Sequence, residues 1–422
     1  MMDGIAEQTT RSTGVLKTFR GGTHRIVHPA ETVQCMRRQF GPMGITRVGN
    51  VTGLDCIGIP VVMVCRPNAR SLAVSQGKGI DLDAARASGI MEAVELYHAE
   101  RITLPMKLAS WNELRFSHDL AAVEDLPQLS GSAFHRNRTL PWISGMDLVS
   151  QTSKWLPYEL VHTNYTLPAL TGSGCFVMSS NGLASGNHPL EAISHGLCEV
   201  IERDATSLYH CKNRAARDAL RVDLDTVTDP ECRRVLDLYE NGGVSVGVWD
   251  VTSDVGVATF LCVIADREAS LLRPLGPVEG MGCHLVREVA LLRALTEAAQ
   301  ARLTLIAGSR DDNGRARYGQ AQAVALLSNT RTWLLRKGCR PFAEAPTQSN
   351  DTLEEDISTL LLSIRGVGLD QVLVVDLSKP EFSVAVVRVV VPGLETYHHI
   401  SACVPGRRAQ RVLEARAKEP TS

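Results

Sequence analysis

Two stretches of this chain carry the same pattern: a short apolar run, a glycine-bearing loop, then apolar positions at helical spacing. The first, LAVSQGKGIDLDAARASGIMEAVELYHAER, predicts a strand, a glycine turn and an amphipathic helix that Asp81 or Asp83 would cap. The second, CFVMSSNGLASGNHPLEAISHGLCEVIERDATSLYH, predicts the same succession, with Pro189 suited to a first helical turn. Residues 44 to 66 alternate apolar runs with Gly and Pro and predict two strands joined by a turn. VSVGVWDV and VATFLCVIAD predict paired strands, followed by a long helix beginning near Val286. QVLVVDLS and VAVVRVVVPGLE read as further strands. The stretch from about 105 to 170, rich in Pro, Ser and Trp, predicts loops and short elements over the core.

This alternation implies the α/β class, with a mixed sheet and long helices in one globular domain over residues 21–406. A flexible segment, 1–20, is expected before it, and a charged tail, 407–422, that frays after it. There is no short-period repeat or low-complexity block that would suggest an array.

Forty-four basic against forty-six acidic residues leave a formal charge of -2, which provides no long-range attraction for nucleic acid or a membrane surface. The N-terminal residues contain no apolar run of signal or transmembrane length, so a cytoplasmic enzyme is expected. Eleven cysteines, an odd number without a C-x-x-C pair, imply free thiols rather than a disulfide framework. Cys175 and Cys198 lie near the acidic segments, but a buried cysteine ordinarily behaves as a small hydrophobe.

On the helix from Pro189, Glu191, His195, Glu199 and Glu202 fall within a stripe about 80° wide at 3.6 residues per turn. Ser88, Glu92 and Glu95 share a face of the earlier helix. Like charges at spacings of three and four destabilise an isolated helix, so the clusters call for a cation. Hard oxygen ligands suit Mg²⁺, which binds a few carboxylates together with water and nucleotide phosphates. A solvated surface would account for one such run. Two runs, each behind a glycine loop at a helix start, favour phosphate as well. SQGKG is not a Walker loop, and His195 with Glu199 has no further ligand at zinc spacing. In the third helix Glu297, Gln300 and Arg302 form E-x-x-Q-x-R, yet Arg302 lies about 140° from Glu297 on an ideal helix.

Taken together, S-x-x-x-E-x-x-E at Ser88, Glu92 and Glu95, the N-G-L-A-S-G-N loop, E-A-I-S-H-G-L-C-E-V-I-E-R and E-x-x-Q-x-R resemble the YcaO family in order and spacing. TGLDCIGIPV, GKG and RVVVPGLE extend the resemblance over about Thr23 to Glu395. It implies that Glu92, Glu95, Glu199 and Glu202 bind Mg²⁺ and nucleotide. Ser88, Asn187, Glu191, Arg203, Gln300 and Arg302 would lie around ATP, and Arg25 and Thr32 would contact phosphate. The implied reaction is ATP-dependent phosphorylation of a peptide backbone amide oxygen after a nucleophile adds to its carbon. A neighbouring side chain gives an azoline, external sulfide a thioamide, an amine an amidine. The chain ends in RAKEPTS with a lone Pro420, where azoline-forming members commonly carry Pro-x-Pro-x-Pro. The resemblance therefore implies thioamide formation beside a TfuA-like protein, with a peptide or protein substrate. Azoline formation and a non-catalytic accessory role in ribosomal-protein modification are the alternatives. A homodimer is the default expectation for a soluble enzyme.

Overall fold

Both glycine-bearing loops lead into helices, and the reason is local. In the computed structural model, which describes residues 14–268, 275–310, 324–396 and 403–418, the side chain of Asp81 accepts the Ala84 amide proton and starts the helix Leu82–Glu100. His188 caps the helix Pro189–Cys211, whose first residue is Pro189. The side chains of 324–328 are not described. In chain order the main helices are α1 (Pro29–Met36), α2 (Leu82–Glu100), α3 (Pro189–Cys211), α4 (Pro230–Asn241), α5 (Arg287–Ala307), α6 (Leu353–Gly366) and α7 (Arg407–Ala417).

The strands are β1 (Arg47–Asn50), β2 (Val61–Cys65), β3 (Val74–Lys78), β4 (Met106–Ala109), β5 (Leu140–Asp147), β6 (Thr152–Pro157), β7 (Leu183–Gly186), β8 (Val222–Asp223), β9 (Val244–Asp250), β10 (Thr259–Asp266), β11 (Val278–Cys283), β12 (Arg340–Pro341), β13 (Leu373–Asp376) and β14 (Ala385–Val390). They form three larger sheets: β1-β2-β3, β11-β10-β9, and β4-β5-β13-β14-β7 with β6 also on β5. The α/β class is as expected. The expected mixed sheet is instead a set of antiparallel sheets, the parallel pairing among described strands being confined to the two-residue contact of β12 with β8.

Three strand–loop–helix units organise the molecule: β3 to α2, β7 to α3, and β11 to α5. Their contacts are too close for ordinary side chains. A Cβ on Gly77 of β3 would lie 2.0 Å from the Ala85 carbonyl oxygen and 2.1 Å from the Gly89 amide nitrogen, both on α2. A Cβ on Gly282 of β11 would lie 2.1 Å from the Ala290 carbonyl oxygen on α5. Glycine in SQGKG therefore serves close strand-to-helix contact.

Residues 105–170 depart from the loop-rich expectation. β4, β5 and β6 lie there, and Trp142 and Ile143 of β5 are fully buried in the core beneath α2. β5 reads LPWISGMD, whose Pro, Ser and Gly obscure the alternation; it pairs locally with β4 and β6 and, at two residues, with β13, which is remote in sequence. β11, reading VEGMGC, is a further strand that the pattern did not reveal.

Both expected loose ends are docked where described. Residues 1–13 and 419–422, including Pro420, lie outside the described residues. From Gly14 onward the N-terminal segment is pinned: the Lys17 ammonium sits 2.8 Å from Asp356 of α6, with both side chains buried. The charged segment from Arg407 is helical rather than frayed. Glu395 accepts the Gly406 and Ala409 amide protons at 2.9 and 2.8 Å, Arg408 bridges Asp204 and Asp254, and Ala409 is buried against Leu208 and Cys211 of α3. Among the described residues no helix is long and apolar enough to cross a membrane.

The close contact of β3 with α2 leads to the first prediction. Gly77→Ala should destabilise the fold by about 1–3 kcal/mol or more, because the obstructing atoms are backbone. Gly49→Ala, at a strand position with nothing within 4 Å, should stay near neutral. Denaturant unfolding of both variants checks the contrast.

Candidate functional site

The three helices of the strand–loop–helix units turn one face each toward a cavity of about 550 Å³. α2 contributes Ser88, Glu92 and Glu95; α3 contributes Glu191, His195, Glu199, Glu202 and Arg203; α5 contributes Arg293, Glu297 and Gln300. Helical spacing of three and four makes each set contiguous, and the short loops before the helices bring the three sets together.

Each carboxylate is held by few partners. Glu92 accepts the Gln76 amide proton at 3.4 Å, and Glu95 accepts the Ser185 hydroxyl at 2.7 Å. Glu202 stands 3.9 Å from the Arg203 guanidinium. Glu297 accepts from the Lys78 ammonium and, at 3.2 Å, from the Met281 amide. Glu191 accepts the Ile26 amide proton at 3.0 Å and lies 4.0 Å from Arg25.

Burial raises the pKa of Glu92 to about 6, against the pull of Arg310 and Lys78. Glu95 is raised further, to about 8, by burial and by the charges of Glu199 and Glu92. Glu202 is raised to about 7 by burial, with Glu297 adding to the effect and Arg203 opposing it. Burial also raises Glu199. Glu297 departs downward: burial disfavours its charge, but Lys78 and Arg203 more than offset that. A shared cation would return the raised group to ionised form.

The segment from Gly21 to Arg25, which carries His24, also lines the cavity, together with Arg293, His195 and His284. Arg293 donates to His195 Nε2 at 3.1 Å. That histidine is therefore a neutral acceptor, its pKa held well below the usual value by burial and by Arg293. It is engaged by an arginine rather than placed for zinc. Among the described residues Arg25 Nε and Arg293 Nε are buried with no hydrogen-bond partner, as is His24 Nδ1. Orphaned guanidinium donors in a closed space call for an anionic acceptor, and a polyphosphate has that chemistry.

Most of the residues singled out in the sequence meet in this cavity: Arg25, Ser88, Glu92, Glu95, Glu191, Glu199, Glu202, Arg203 and Gln300. Thr32 and Asn187 stand behind the wall. Thr32 donates to the Asn187 side-chain oxygen at 3.2 Å, and Asn187 donates to Glu191 at 3.3 Å. Arg302 is not brought to the cavity. It turns to Asp55 and Asp266, each 2.8 Å away, and is 1% exposed. This follows from the 140° offset from Glu297, since the two side chains leave opposite sides of α5. Cys175 is buried outside the cavity with its thiol pKa raised by burial, whereas Cys198 lines the wall. Sequence reasoning missed Arg293, although it precedes Glu297 by four residues and so shares its face.

Among the described residues no three His, Cys, Asp or Glu side chains form a ready-made metal group. Magnesium suits such a wall nonetheless, because it takes one or two carboxylates at a time and completes its shell with water and phosphate oxygens. The donor set is all oxygen, and burial disfavours the charge of Glu92, Glu95, Glu199 and Glu202, which a bound cation would offset.

A family model described as YcaO cyclodehydratase, binding ATP and Mg²⁺, matches residues 76–395. A Rhizobium leguminosarum bv. trifolii protein described as lying in the tfuA 3′ region is 38% identical over 380 residues, 88% of each chain. A heterocyclase solved in complex with substrate and cofactor superposes with TM-score 0.75 at 25% identity. The match covers 98% of this chain but only 57% of that one. YcaO from Methanopyrus kandleri, bound with AMPPCP and Mg²⁺, superposes with TM-score 0.70 at 24% identity over 93% of this chain and 98% of that one.

The buried carboxylates give a pH prediction. Glu95 and Glu202 hold protons in the folded state that the unfolded chain has released, so metal-free stability should fall as pH rises from about 6.5 to 8; below that range the buried histidines, lowered to about 4, act in the opposite sense. Melting temperature should drop by roughly 2–4 °C per kcal/mol lost. Glu95→Gln should flatten the profile and Mg²⁺ with nucleotide should reverse it, as calorimetry at pH 6.5 and 8 would show.

Proposed function

The chain belongs to the YcaO family, and from that premise we propose that it uses ATP and Mg²⁺ to phosphorylate the oxygen of a peptide backbone amide, forming a thioamide with a TfuA-like partner. The observation that carries this reading is the make-up of the cavity: carboxylates whose pKa values burial raises stand together with Arg25 and Arg293, whose Nε donors have no hydrogen-bond partner among the described residues. That arrangement suits a magnesium-bound polyphosphate.

Glu92, Glu95, Glu199 and Glu202 would hold the magnesium, with Ser88 supporting the α2 pair. Arg25, Arg203 and Arg293 would bind phosphate oxygens; Gln300, Glu191, Asn187 and Thr32 would fix the surrounding wall. Magnesium supplies charge neutralisation at the phosphoryl group being transferred. A nucleophile adds to the amide carbon, and the resulting oxyanion takes the γ-phosphoryl group from ATP. Phosphate then leaves with that oxygen, so the amide oxygen departs and the nucleophile remains. Arg203, fixed between Glu202 and the Met281 sulfur, is placed to stabilise charge during transfer. Arg302, in this reading, braces α5 from behind.

The tfuA-region relative supports a separate TfuA-like partner protein, beside which sulfide is the nucleophile in this reading. The structural match to a heterocyclase supports the second reading, in which a Cys, Ser or Thr side chain of the peptide attacks and water is lost. In the third reading nucleotide is bound but not turned over.

ATP hydrolysis and peptide mass spectrometry separate these. With peptides drawn from neighbouring reading frames, peptide-stimulated hydrolysis is expected, with oxygen exchanged for sulfur only when sulfide is supplied. Glu199→Ala should lower turnover by roughly 10²-fold or more. Loss of water without a sulfur source would identify an azoline product, and binding without turnover an accessory role.

A further inference from the structure

Arg388 lies on β14, directly opposite Leu183 of β7, and its side chain is fully buried. Its guanidinium donates to the Val161 carbonyl from Nε at 3.2 Å and Nη2 at 2.9 Å, and to the Asn181 carbonyl from Nη1 at 2.6 Å. All three bonds go to main-chain oxygens rather than to a carboxylate. Burying an arginine in this way is costly, and an apolar residue would pack a sheet interior at less expense. Desolvation brings its pKa down to about 10, so it remains charged at neutral pH, facing Glu199 and Glu95 through space.

The two carbonyls bracket a single excursion of the chain, residues 162–180. Its return limb runs into a turn in which the Leu183 amide donates to the Ser180 carbonyl at 2.9 Å, and Asn181 sits inside that turn. Ser180 and Leu183 line the cavity, beside Leu72, Met91 and Leu96. Met91, Leu96 and Leu183 belong to one apolar cluster, so an uncharged surface adjoins the carboxylates here. A polyanionic nucleotide is drawn to the charged part; a neutral peptide backbone is left the apolar one. The excursion is held elsewhere too. Glu159 accepts the Gly174, Cys175 and Phe176 amide protons, and the Tyr165 amide donates to the Arg70 carbonyl.

We propose that Arg388 is the positioning residue of the peptide-side wall: by tying Val161 and Asn181 together it fixes Ser180 and Leu183 beside Glu199, which takes a backbone hydrogen bond from Gly182, and Glu95, which accepts the Ser185 hydroxyl. The assignment of this wall to peptide rests on the amide-phosphorylation reading above; the tie itself does not. Two measurements keep them apart.

Hydrogen exchange tests the tie in the free protein. Arg388→Gln should raise exchange roughly tenfold or more at amides in 161–183, leaving 82–100 and 189–211 unchanged. Unchanged protection at 161–183, or equal loss everywhere, overturns the proposal. Should Arg388→Gln not fold, Arg388→Lys keeps the charge with fewer donors, and loss confined to 161–183 is again expected. Steady-state kinetics test the wall. The peptide KM should rise roughly tenfold more than the KM for Mg-ATP, with partial recovery in Arg388→Lys. Parallel rises in both, or a lowered melting temperature with unaltered kinetics, would leave Arg388 a structural residue only. If the wild-type protein turns over no peptide, the amide-phosphorylation reading fails, and the exchange result still decides the tie.

Discussion

Carboxylates from three helices can face one cavity only if each helix lies almost in backbone contact with the strand before it. Gly77 against Ala85 and Gly89, and Gly282 against Ala290, remove the side-chain layer that ordinarily separates a sheet from a helix. The short loops then fix where each helix begins, and helical periodicity carries Glu92, Glu95, Glu199, Glu202 and Glu297 to the same space. The arrangement depends on small residues more than on acidic ones. The glutamates set the chemistry, but the glycines and alanines set the distances.

That convergence has an electrostatic cost. Burying like charges pushes Glu95 and Glu202 into or above the neutral range, and the molecule meets this with Lys78, Arg203 and Arg293 rather than with a full set of ion pairs. The deficit is concentrated in the cavity. Several buried charges elsewhere are matched, Lys17 with Asp356, Arg302 with Asp55 and Asp266, Arg408 with Asp204, while Arg388 is met by main-chain carbonyls. A molecule that pairs its structural charges and leaves those of one cavity short is built for a charged ligand there. The α7 segment shows how far the matching extends, since Glu395 and Asp204 secure it to the helix that carries the acidic stripe.

The chain itself determined what depends on nearest neighbours. Asp81 and Pro189 mark helix starts because capping is decided within a few residues, and spacings of three and four put glutamates on common faces. Those faces, with the motifs in order, carried the family resemblance and most of the cavity wall. The offset of Arg302 was already visible as an angle on α5, but its partners, Asp55 and Asp266, come from distant segments and were not.

Only tertiary structure decided the rest, because contacts made across long stretches of chain leave no periodic trace. β5 hides behind Pro, Ser and Gly until β4, β6 and the remote β13 pair with it, and the charged tail looks free until Glu395 and Asp204 meet it. Arg388 reads in sequence as one polar residue in a run of valines. Folding turns it toward Val161 and Asn181, and a guanidinium inside a sheet must satisfy its donors wherever carbonyls are offered.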